Sequence, residues 1–121
     1  MSAWAWIGVA ALGAAGSIAR FLLDHFVSSR AKGSFPLGTF AVNVSGALLL
    51  GLLSGAAVAG QAFVLAGTAT LGSYTTFSTW MLESHRLAEE GELRGAGANI
   101  AGSLLAGFAA VALGHAIGAA L

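Results

Sequence analysis

The sequence predicts an all-α membrane protein with four transmembrane helices, the third broken at mid-membrane. Three observations carry that expectation. Of 121 residues, 57% are hydrophobic and only 8% are charged, and mean hydropathy is +0.85; a soluble domain usually carries about 25% charged residues. Apolar stretches of roughly bilayer length recur along the whole chain. Inside the third stretch, five serine and threonine side chains fall within Ser73 to Thr79, and in hydrocarbon each hydroxyl must find a partner.

Composition excludes several classes. Five basic and five acidic side chains cancel, so no field gathers nucleic acid. Cysteine is absent, which removes disulfide frameworks and thiolate metal sites. Nothing between Met1 and Ala19 is basic, so no cleaved leader is expected.

The first span runs from Ala3 to about Leu23 (3–23), with Trp4 and Trp6 where an aromatic belt would anchor it. Arg20 and Asp24, four residues apart near its far end, are either a helical ion pair or an Arg bracing the fold from inside. Ser28 to Pro36 is a polar connector. The second span, 37–59, has one strongly polar residue, Asn43, whose amide could bond a neighbouring helix or donate to an anion. Gly46, Gly51 and Gly55 offer a small-residue face.

The third span, 61–85, contains Gly72-Ser73-Tyr74-Thr75-Thr76-Phe77-Ser78-Thr79-Trp80, followed by Glu83. Its hydroxyls either bond back to their own helix or face a polar pathway. Glu83 would be an interfacial carboxylate paired with Arg86. Leu87 to Arg94 reads as a charged connector. The fourth span, 96–121, places Asn99 and Ser103 on one face. Four short helices hardly enclose a pathway alone, so oligomerisation is expected. All five basic residues lie on or near the side of loops one-two and three-four, which puts both termini outside.

Three motifs, in order, resemble those of a known family. They are Gly13-x-x-Gly16-x-x-x-Arg20, then Gly38-Thr39-Phe40-x-x-Asn43-x-x-Gly46, then Gly72-x-x-Thr75-Thr76-Phe77-Ser78-Thr79-Trp80-x-x-Glu83. Together they resemble the CrcB/Fluc fluoride channels over the whole chain. The resemblance implies an antiparallel dual-topology dimer with two fluoride pores in a prokaryotic cytoplasmic membrane. It also implies a structural sodium ion on the dimer axis, held by the backbone carbonyls of Gly72 and Thr75. Asn43, Phe77, Ser78, Thr79, Trp80 and Ser103 fall on the anion pathway, with Arg20 and Glu83 in support. Trp80 stands where the family has a second phenylalanine; its edge is electropositive and its N–H is a further donor.

The implied activity is passive fluoride export that lowers cytoplasmic fluoride, with no catalytic residues. Fluoride is small and tightly hydrated, so amide, hydroxyl and aromatic-edge donors would have to replace its water. The charge asymmetry leaves two assemblies open, a homodimer or a heterodimer with a related chain of opposite orientation. Two rival functions also stand. A four-helix proton-coupled multidrug or cation exporter would need a membrane-embedded carboxylate, yet the first acidic residue is Asp24. A non-conducting assembly protein would explain the glycines but not the hydroxyl cluster with Asn43.

Overall fold

The computed structural model describes residues 1–121, and every regular element is helical. Helix α1 spans Ala3–Ser28 and α2 spans Leu37–Gly55. Gly60–Phe63, Val64–Leu71 and Gly72–Tyr74 run into one another and together form α3, its middle piece being π-helical. After a three-residue gap, α4 spans Ser78–Glu89 and α5 spans Leu93–Ala120. Helices α1, α2 and α5 are each long and apolar enough to cross a bilayer. The predicted third span is thus two half-length helices, broken within the stretch where glycine and hydroxyls weaken helix propensity.

The helices extend differently from the predicted spans. Helix α1 runs on to Ser28 because Asp24 Oδ1 accepts the Ser28 hydroxyl (2.9 Å) one turn later. Helix α2 ends at Gly55, ahead of a turn in which Ala57 takes a positive φ of 59°. The expected connector 87–94 shrinks to residues 90–92. Leu87 is buried, and His85 Nε2 meets Glu89 Oε1 at 2.8 Å along the helix, so α4 continues to Glu89.

Buried apolar side chains are few and mostly small: Ala5, Val42, Ala69, Leu71, Leu87, Ala96 and Ala110. Large ones face outward, Trp4, Phe21 and Leu105 among them, as expected where the solvent is lipid. Cohesion therefore comes from close backbone approach rather than a thick core. Helices α2 and α5 make the most extensive pair. A Cβ on Gly51 or Gly55 would run into the Val111 or His115 carbonyl, and one on Gly114 or Gly118 into the Leu48 or Leu52 carbonyl. These matched positions advance together, so α2 and α5 run parallel. Helices α1 and α3 do likewise, with Gly8 against Leu65 and Gly16 against Thr70. The termini and residues 56–59 therefore lie at one end of the bundle, and the connectors 29–36 and 90–92 at the other.

Candidate functional site

Helix α3 stops because Thr75 turns extended (φ −82°, ψ 163°). Its N–H and its hydroxyl both donate to the Leu71 carbonyl, at 3.0 and 2.9 Å. The Ser73 hydroxyl donates to the Ala69 and Thr70 carbonyls (2.8 and 3.0 Å), and the Thr70 hydroxyl reaches the Leu65 carbonyl five residues back (2.7 Å). Ser73 and Thr75 thus serve their own helix, the less functional of the two sequence readings. Thr76 opens the next helix. Its Oγ1 accepts the Thr79 N–H and its hydroxyl donates to Thr79 Oγ1, both at 3.2 Å, the geometry of an N-cap.

The gap is bridged from α2. Asn43 Oδ1 accepts the Thr76 N–H and Asn43 Nδ2 donates to the Thr76 carbonyl, both at 2.8 Å. This two-bond clamp satisfies a backbone unit that no helix serves, each bond contributing about 1 kcal/mol net. One Nδ2 hydrogen of Asn43 is left over. The Gly72 and Thr75 carbonyls accept no hydrogen bond from the chain. A side chain at Gly72 would meet nothing within 4 Å, and both residues line the cleft described next.

A largely apolar cleft and a smaller, more polar recess meet at this break. A cleft of about 450 Å³ is lined by Asn43, Gly72, Thr75, Thr76, Phe77, Trp80 and Ser103, among others. The Phe77 and Trp80 rings meet edge to face, 5.7 Å between centroids at 87°. A recess of about 150 Å³ on the α1 side is lined by Arg20, Asp24, Thr39, Thr76 and Thr79. Thr76 belongs to both.

The predicted site residues therefore divide. Asn43, Gly72, Thr75, Phe77, Trp80 and Ser103 come together in the cleft, while Arg20 and Thr79 share the recess. Ser78 is exposed, and its hydroxyl makes no hydrogen bond within the chain. Glu83 lies apart, in a recess at the loop end with Arg86 and Glu90. Arg20 and Asp24 form no ion pair: Asp24 binds Ser28, and Arg20 Nε is shielded without a partner. Glu83 is only loosely paired, with Oε2 4.0 Å from Arg86 and Oε1 buried and unpartnered. The expectation that the Trp80 N–H is available to an ion is corrected. Trp80 Nε1 donates to the Asn99 backbone carbonyl at 2.8 Å. Thr76 and Thr39, the latter buried, went unassigned from sequence. The Thr76-x-x-Thr79 spacing, a helix-start signature, was the signal for the first.

A profile of the family described as "CrcB-like protein, Camphor Resistance (CrcB)" matches residues 7–115. The chain is 56% identical over 110 residues to "Fluoride-specific ion channel FluC 2" of Mycolicibacterium paratuberculosis, covering 91% of this chain and 90% of the relative. It is 51% identical over 110 residues to the protein of the same name from Mycobacterium tuberculosis, covering 91% and 87%. It is 46% identical over 125 residues to "Fluoride-specific ion channel FluC 1" of Frankia casuarinae, covering 96% and 97%.

Proposed function

The chain belongs to the CrcB family, and from that premise we propose that it is a fluoride-selective channel that lets fluoride leave the cell passively, lowering cytoplasmic fluoride. The observation that carries the reading is the helix break clamped by Asn43, where a hydroxyl-lined recess and an aromatic-edged cleft share Thr76. The channel reading stands over proton-coupled drug export and over a non-conducting assembly. It involves no chemical turnover.

The ion reaches the break through the recess, where Arg20 supplies positive charge and Thr39 and Thr79 supply hydroxyls. At the break it trades water for the free Asn43 N–H and the Thr79 hydroxyl. It then passes the electropositive edges of Phe77 and Trp80 beside Ser103. A few fixed donors at the break let a small, strongly hydrated anion shed water, while a larger halide gains less from the same donors. Ser78, exposed in the single chain, reaches the path only across a partner surface, and Glu83 shapes the loop end.

The functional unit in this reading is an antiparallel dimer in a prokaryotic cytoplasmic membrane, formed by two copies or by this chain and a related one. Phe77 (70% exposed) and Phe108 (68% exposed) edge the cleft, and a second chain would cover them. The free carbonyls of Gly72 and Thr75 suit a sodium ion between the two chains. Oxygen dipoles without carboxylates match a hard monovalent cation. When bound, sodium supplies positive charge that holds the two breaks together. Elemental analysis of the desalted protein should find one sodium for each pair of chains; sodium-free, folded dimer would contradict the assignment.

Fluoride efflux from proteoliposomes, followed with a fluoride electrode, tests the pathway. Phe77→Ile keeps bulk but removes the ring edge, so efflux should fall roughly tenfold while the exposed position leaves folding unchanged. Wild-type efflux from that variant would mean the path lies elsewhere.

A further inference from the structure

Asn99 is one of two large side chains with no exposure at all, and all of its amide is engaged. Its Nδ2 donates to the Trp80 carbonyl (3.3 Å) and to Ser84 Oγ (2.8 Å), and its Oδ1 accepts the Ser103 hydroxyl (3.3 Å). In return, Trp80 Nε1 donates to the Asn99 carbonyl at 2.8 Å. Ser84 also donates to the Trp80 carbonyl at 2.9 Å. Trp80 and Asn99 are thus bonded to each other in both directions, one from α4 and one from α5.

The consequences fall on the cleft. An indole tied at Nε1 cannot swing about its side-chain bonds without breaking a part-buried hydrogen bond, which is costly where water is scarce. The Phe77 ring, itself exposed, rests edge to face against that fixed indole. The Ser103 hydroxyl, which the family resemblance places on the anion path, has its proton turned to Asn99 and offers the cleft only lone pairs.

Resting on the channel reading above, we propose that Asn99 is a positioning residue that locks Trp80 as a rigid, non-donating wall of the anion path and thereby sets its selectivity. Trp80 acts through the shape and edge of its ring; its N–H is spent on the lock. Asn99 never touches the ion. A merely adhesive role, joining α4 to α5, would change stability without changing which halide passes.

The test is a double-mutant cycle in proteoliposomes built from the full chain, reading fluoride and chloride efflux for wild type, Trp80→Phe, Asn99→Ala and the double variant. Asn99→Ala should lower the fluoride-to-chloride ratio roughly tenfold, yet change it little once Trp80→Phe is present, because contacting residues are non-additive. Equal effects of Asn99→Ala in both backgrounds would overturn the lock. In parallel, Trp4→Phe/Trp6→Phe protein leaves Trp80 as the sole indole for time-resolved fluorescence anisotropy. Slow indole motion freed by Asn99→Ala supports the proposal, and an indole already mobile with Asn99 intact sinks it. Where Asn99→Ala gives no folded protein, Asn99→Ser serves in both arms. A wild type with no fluoride efflux but an Asn99-dependent rigid indole would defeat the channel reading and leave the lock standing.

Discussion

Asn43→Asp should abolish most fluoride efflux while the chain still inserts and folds. The substitution is isosteric, and the Thr76 N–H can still donate to the new carboxylate. The second bond is lost, because a carboxylate oxygen replaces Nδ2 opposite the Thr76 carbonyl. Two acceptors then face each other, and a negative charge stands at the narrow point of an anion path. Leaving the carbonyl unsatisfied and adding repulsion should cost roughly 3 kcal/mol, or about a hundredfold in flux at 1.4 kcal/mol per decade. Asn43→Ala, which removes both bonds without adding charge, should lose less, roughly tenfold. The comparison is made by fluoride-electrode efflux at matched protein density. Equal efflux from Asn43→Asp and wild type would show that the clamp and the ion path are unrelated.

Gly114→Leu should prevent folding altogether. A Cβ at this position meets the Leu48 carbonyl and the Leu52 N–H, both main-chain atoms of a helix that cannot yield locally. Helices α2 and α5 would have to part along their most extensive contact. Overpacking of this kind costs roughly 1–3 kcal/mol where neighbours can shift, and a larger loss is expected against rigid backbone. Gly97→Leu is the control, since a Cβ there meets nothing within 4 Å. Size-exclusion profiles and thermal midpoints in detergent read the outcome. A monodisperse, stable Gly114→Leu protein would refute the backbone contact between these helices.

Much of this fold was legible because membranes constrain sequences strongly. Low charge and long apolar stretches located the helices, and the glycine-hydroxyl run located the break. Helix ends were less legible, because hydropathy reports hydrocarbon depth while hydrogen bonding decides where a helix stops. Asp24–Ser28 and His85–Glu89 prolong α1 and α4 among polar residues. The site divided along similar lines. Asn43 could be picked out as a lone amide in an apolar span, but its partner Thr76 could not, since the bonds run to main-chain atoms 33 residues away. Trp80 misled for the same reason: an indole N–H reads as a free donor until the helix beside it is known. The π-helical turns of α3 left no comparable trace in residue type.

The most direct measurement is fluoride release from liposomes that contain this chain and no other protein, with sodium on both sides. The account predicts rapid release of fluoride, little of chloride, and no dependence on a proton gradient. Folded protein in the bilayer that releases no more fluoride than empty liposomes, both alone and together with a related chain of opposite orientation, or that releases it only when protons move the other way, would contradict it.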